Sequence, residues 1–228
     1  MDENPKQKRR TILGTILILL VAICLLAAVI FLLLLLPAFV ETTRPTNSYL
    51  IQITGLSDLA VNGTATVMVP VPANAECELA IPEEALVGGR IAGWQATIRE
   101  TSYGKMLAFT TTEGYAPDIY VSSSEFETKE EPRLLVPVLA TPGNVSVEEF
   151  SRSSGGTYTT VVFLDGFVPP ENATSISFDL SYWGGGGMKH LIKGDIWTTT
   201  VNATVPSTAS GFIPVPAEYH VTPGGLYL

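Results

Sequence analysis

Two histidines, His190 and His220, and two cysteines, Cys24 and Cys77, are all that the chain offers for imidazole or thiol chemistry. Neither histidine has a second His or Cys at metal-ligand spacing, so a metal or hydrolytic site would have to join them in space with Asp195 or Glu218. The carboxylate pairs Glu83-Glu84, Glu130-Glu131 and Glu148-Glu149 are adjacent in sequence and on a strand would point to opposite faces, which makes them solvated charge rather than an acid and base pair. No G-x-S-x-G elbow occurs, and no D-x-[DN]-x-[DN]-G calcium loop. The run Gly184 to Gly187 is separated from Lys189 by Met188 and followed by His190, which breaks the order a phosphate loop requires and predicts a flexible tip instead. These residues point to no catalytic group, no metal and no cofactor.

Two other chemistries are present. Asn62-Gly63-Thr64, Asn144-Val145-Ser146, Asn172-Ala173-Thr174 and Asn202-Ala203-Thr204 are acceptor sequences for N-linked glycosylation, each close to an expected turn. Trp94, Trp183 and Trp197, with eight tyrosines, can stack on sugar rings or fill a partner's pocket, and Trp183 stands at the mouth of the glycine run. Most tryptophans of a β-sandwich pack in its core, so Trp183 is the candidate ligand-contact aromatic.

The elements that hold these residues begin with an apolar segment. Thr11 to Leu36 is 26 residues without a charge, and about 20 suffice to cross the hydrocarbon of a bilayer. A cleaved signal peptide has a shorter apolar region and a small-residue site, and the nearest place for one here is Ala38. Cys24 lies in mid-run after Ile23, against a lipoprotein signal, and reads as a lipid-facing or packing side chain. Lys6, Lys8, Arg9 and Arg10 crowd the N-terminal flank, so the positive-inside bias predicts a cytoplasmic N-terminus and an extracytoplasmic C-terminal domain. With the span between them, Cys24 and Cys77 cannot pair, and Cys77, between Glu76 and Glu78, reads as an inert thiol.

Residues 49–228 hold 8 Lys or Arg against 19 Asp or Glu, a net charge of −11. Such a surface repels nucleic acid, whose binding rests on neutralised phosphates. The expected organisation is a basic tail at 1–10, a transmembrane signal anchor at 11–36, a stalk at 37–48 and a β domain at 49–228. Within that domain Ser175 to Trp183 alternates most cleanly, placing Ile176, Phe178, Leu180 and Tyr182 on one face and Asp179 on the other. Its expected antiparallel partner is His190 to Val201 across the glycine run. Further strands are expected at 49–54, 64–71, 91–100, 105–111, 118–122, 133–140, 145–150, 158–164 and 211–215, with one helical turn near Pro82 to Leu86. About eleven short strands predict a mainly β fold, an antiparallel sandwich or partly open barrel. The segments Val61-Asn62-Gly63-Thr64 to Pro70-Val71-Pro72-Ala73 and Val201-Asn202-Ala203-Thr204 to Pro214-Val215-Pro216-Ala217 are alike but differently spaced, and read as recurring edge-strand chemistry.

Gly104 to Thr111, Phe167-Val168-Pro169-Pro170-Glu171-Asn172, and Gly194-Asp195 ahead of Val201 to Pro206 resemble uncharacterised single-pass membrane-anchored surface proteins of methanogenic archaea, over most of residues 49–228. The resemblance implies a cell-surface setting and brings no activity with it. The expected function is that of a membrane-anchored cell-surface protein, a structural or binding module of the cell envelope. Its expected partners are membrane lipid at the helix and an extracellular protein or glycan at the domain. Two alternatives are an anchored extracytoplasmic hydrolase whose residues converge only in space, and a pilin-like subunit, although the small residue and following acid of a pilin precursor are missing at the boundary.

Overall fold

The computed structural model describes residues 5–41, 46–72, 79, 81–87, 91, 93–127, 155–172, 174–189 and 192–225. Two of the expected strands, 133–140 and 145–150, lie outside the described residues, as do Cys77, Asn144 and His190. The chain divides into two compact units, Met1–Thr43 and Arg44–Leu228.

The first unit is a helix, α1 (Pro5–Glu41). Within it Gly14–Leu35 has a mean hydropathy of 3.5 over 22 residues, about 33 Å of helix, and is long and apolar enough to cross a membrane. Its apolar side chains are exposed on every side, Cys24 among them. A helix apolar all round has no core-facing stripe and needs an apolar surrounding instead.

The second unit is antiparallel β. Its strands are β1 (Thr46–Thr54), β2 (Ala60–Pro70), β3 (Gln95–Thr101), β4 (Gly104–Thr111), β5 (Ile119–Glu127), β6 (Gly155–Val168), β7 (Ser175–Gly185), β8 (Met188–Lys189), β9 (Ile192–Lys193), β10 (Ile196–Pro206) and β11 (Gly211–Thr222). One helical turn, α2 (Glu83–Val87), sits where the sequence places it and buries Leu86. Nine strands form one sheet in the order β3-β4-β2-β6-β11-β10-β7-β1-β5, and β8 and β9 pair by themselves.

That sheet curls into a sandwich-like body because β10 and β11 part company. They pair only between Ile196–Thr200 and Glu218–Thr222. Beyond that point β10 continues against β7 as far as Pro206, while β11 pairs with β6 from Gly211 to His220. Two layers result, β3-β4-β2-β6-β11 and β10-β7-β1-β5, with inner faces that build one core. Ile51, Ile53, Phe178 and Leu180 enter it from one layer, and Val67, Leu107, Phe109 and Leu164 from the other. Trp94 closes the far side, its indole Nε1 donating to the Pro117 carbonyl oxygen at 2.8 Å and so tying the approach to edge strand β3 to the approach to edge strand β5. The first layer is also covered outside, where Met68, Met106, Ala108 and Val161 are buried and Phe212 lies 4.8 Å from Tyr103 and 4.9 Å from Phe163, ring centre to ring centre.

The alternation read in Ser175 to Trp183 holds. Ile176, Phe178, Leu180 and Tyr182 are all buried and Asp179 is exposed. The partner strand is β10, in register from Ile196↔Gly185 to Pro206↔Ser175, so it starts and ends about five residues later than expected. The glycine run is a second departure, because it is not a loose tip. Gly184 and Gly185 complete β7 and are buried, and the loop beyond them is drawn together by hydrogen bonds from Gly186 N to Asp195 O (3.0 Å) and from Gly194 N to Gly187 O (2.6 Å). Gly185 has φ +104°, and a Cβ there would run into the Asp195 carbonyl oxygen.

Two expectations follow for stability, both measured by thermal unfolding of the detergent-solubilised chain. Phe178→Ala should cost about 3–5 kcal/mol through the cavity it leaves, and Asp179→Ala under about 0.5 kcal/mol. Gly185→Ser should be strongly destabilising, since it combines a forbidden approach with a left-handed backbone, whereas Gly63→Ser, with open space around its Cβ, should carry only the backbone strain of about 1 kcal/mol.

Candidate functional site

The residues singled out in the sequence fall on different surfaces. Asn62 is exposed in the part of β2 where the register with β6 shifts between Val61 and Thr66. Asn172 is exposed in the connection from β6 to β7, while the Thr174 hydroxyl of the same acceptor sequence is buried without a hydrogen-bond partner. Asn202 differs from the expectation of a nearby turn, because β10 runs on to Pro206 and leaves it exposed in mid-strand, directly opposite Asp179. His220 is exposed on β11, opposite Gly155.

Trp183 sits on the outward face of β7, half-buried between its cross-strand neighbours Ser48 on β1 and Thr198 on β10. That face has a regular layout because pairing is continuous across four strands. Tyr120 on β5, Gln52 on β1, Asp179 on β7 and Asn202 on β10 stand directly opposite one another in a single row, all exposed. Ser122, Leu50, Ser181 and Thr200 form the next row, and Trp183 lies one row further. Cross-strand pairs share a face, so these side chains make one surface, backed by the core residues that alternate with them. Sequence reading finds Trp183 and Asn202 but not their common surface. The period-2 pattern of β1 and β7 was readable; which strands adjoin was not.

Beneath the same strands lies a set of buried phenols. Tyr182 donates to Asn47 Oδ1 at 2.7 Å, and Tyr49 donates to the Pro70 carbonyl oxygen at 2.5 Å, a bond that joins one layer to the other. With Tyr158 they surround a cavity of about 20 Å³ that Pro70, Pro72 and Thr199 also line. Burial pushes all three phenols well above the ordinary tyrosine range, and Tyr158 adds to the rise at Tyr49. Gly184 makes room for the pair on β7 and β1, since a Cβ there would meet the Tyr182 hydroxyl and Asn47 Oδ1.

A third feature is an open groove of about 550 Å³ on the outer side of β3 and β4, lined by Gln95, Arg99, Thr110, Thr112 and Glu113. Among the described residues its lining holds one carboxylate and one cation, and His220 is not part of it. Among the described residues no group of three or more His, Cys, Asp or Glu is placed to hold a metal ion. Comparison of the chain with protein-family models, with known proteins and with solved structures finds no match.

The phenols give a pH prediction. Each is neutral in the folded domain and ionises at about pH 10 once unfolded, so the stability they contribute is complete below pH 10 and declines as the pH rises above it. The phenolate absorbance of Tyr49, Tyr158 and Tyr182 should appear only with loss of the far-ultraviolet β signal, and Tyr182→Phe should make the alkaline decline less steep while costing about 1–3 kcal/mol at neutral pH. Ionisation of all eight tyrosines with the fold intact would show that these three are not sealed from water.

Proposed function

We propose that the chain is a single-pass, membrane-anchored surface module, with its N-terminus in the cytoplasm and its β domain outside the cell, where it serves the envelope as a binding or structural element. One observation carries the reading: Gly14–Leu35 is apolar on every face, and Lys6, Lys8, Arg9 and Arg10 stand just ahead of it. Four positive charges on one flank, against Glu41 and Arg44 on the other, set the direction of insertion. Three features of the β domain support an outside address. It is strongly acidic, it folds around a core large enough to need no disulfide, and Asn62 and Asn172 stand exposed in irregular or loop backbone. The resemblance to archaeal surface proteins agrees with that setting. The hydrolase alternative asks for two acidic groups and a histidine in one cleft, and among the described residues the groove at β3 supplies a single carboxylate.

Protease added to intact cells or spheroplasts should remove the β domain and spare a tag fused at residue 1. A β domain that stays intact until the membrane is permeabilised would reverse the orientation and end the surface reading.

A further inference from the structure

The row Tyr120, Gln52, Asp179, Asn202 has a composition at odds with the rest of the domain. The domain carries a net charge of −11, yet the three rows from Tyr120 to Trp183 present Asp179 as their one charged side chain. The remainder is hydroxyl and amide groups, Leu50, and two aromatics. Tyr120 is 66% exposed at the β5 side, and Trp183 is on β7 two rows away. Taking strand spacing as about 4.8 Å and the rise as about 3.4 Å per residue, the two residues' backbones are roughly 17 Å apart on the diagonal. Midway on that diagonal stands Leu50, flanked by Gln52, Asp179 and Ser181, which offer acceptors and donors on either side of it. Behind them Ile51, Phe178, Leu180 and Tyr182 are 0–2% exposed, so the strands carrying the face have little freedom to lose when a ligand docks.

From this surface we infer a carbohydrate platform: the outward face of β5-β1-β7-β10 binds an uncharged oligosaccharide, with sugar rings stacked on Trp183 and Tyr120 and ring hydroxyls bonded to Gln52, Asp179 and Asn202. The chemistry selects this ligand class by elimination. A charged polymer would find one carboxylate and no cation in these three rows, and a protein hot spot would ask for a packed apolar centre where they put Leu50 alone among amides and hydroxyls. Neutral sugars present polar edges that match paired amide, carboxylate and hydroxyl groups, and C–H faces that match aromatic rings. Gly186, beside the Trp183 Cη2 and the Ile196 side chain, adds no side chain of its own at the ring's edge. The inference names the partner of the surface module proposed above and rests on that reading for its biological setting, but the binding itself does not depend on which side of the membrane the domain occupies.

The test uses the full chain in nanodiscs of neutral phospholipid, titrated with maltohexaose, cellohexaose and mannohexaose, and followed by calorimetry and tryptophan fluorescence. Saturable binding of at least one is expected, with no binding of heparin or polygalacturonate. Tyr120→Ala should weaken it about tenfold while leaving the thermal midpoint unchanged, because that side chain is mostly solvent-exposed. Trp183→Ala should abolish both binding and the fluorescence change, and Trp183→Phe should restore part of the affinity even if the alanine variant is poorly folded. No saturable binding of any of the three sugars would overturn the inference, as would full affinity in a folded Tyr120→Ala, Trp183→Phe double variant. So would a glycan found by mass spectrometry on Asn202 of the native protein, since it would cover the face. Each of these results can arise with the β domain fully protease-accessible on cells, and so bears on the platform rather than on the anchored surface reading.

Discussion

Two missing hydrogen-bond donors shape the β domain. Pro214 and Pro216 stand two residues apart on β11, and backbone N–H groups at that separation point toward the same neighbouring strand. With β6 paired along the whole stretch from Gly211 to His220, the side without donors faces away from β6. That is the side on which β10 would have to continue. Pairing between β10 and β11 ends at Thr200 and Glu218, β10 follows β7, and one sheet becomes two layers. Had β10 and β11 stayed paired to their turn, Val201 and Val205 on one strand and Val215 on the other would lie in a single sheet, not in opposed faces of the same core.

Closing two layers over one core creates a demand for polar partners inside, and glycine meets it. Tyr49 and Tyr182 reach between strands with their hydroxyls satisfied by Pro70 O and Asn47 Oδ1, as buried hydroxyls must be. Gly184 provides the volume for that pair. The neighbouring Gly185, by its left-handed backbone and its contact with the Asp195 carbonyl, turns the chain out of β7 into the small β8-β9 hairpin. The glycines are thus where the sheet needs space and a turn, which is a different use of the same residues from a mobile tip.

Much of the fold was legible because its causes are local. Alternation in Ser175 to Trp183 reports one wet face and one dry face, and the strands starting near 49, 64, 105, 158 and 211 are bounded by Gly, Pro or Asn that interrupt β structure. The start of β10 was read too early because Ile192-Lys193 looks continuous with Ile196-Trp197, and only the three-dimensional hairpin separates them. The role of the glycine run was misread for a similar reason: composition records that glycine permits left-handed backbone, but not that Asp195 and Asn47 lie against it. The outward row is the least local feature. Tyr120 and Asn202 are far apart in sequence, and they share a row only because β5, β1, β7 and β10 adjoin in that order.

The two layers also differ in what they have left to show. In the first, Met106-Leu107-Ala108-Phe109 is apolar at every position, and the structure buries both of its faces, with Leu107 and Phe109 in the main core and Met106 and Ala108 under the outer cluster. That cover is local: the groove beside Arg99 and Glu113 opens on the outer side of β3 and β4, and the outer face of β6 and β11 stays exposed at Thr159, Pro214, Pro216, Glu218 and His220. In the second layer Ser, Thr, Asn and Gln alternate with the core residues, so one face is spent on packing and the other remains open in ordered rows. A broad recognition surface needs rigid backing and free side chains together. The second layer has both in unbroken rows across β5, β1, β7 and β10, which is why Trp183 and Asn202, distant in sequence from Gln52 and Tyr120, share one surface with them.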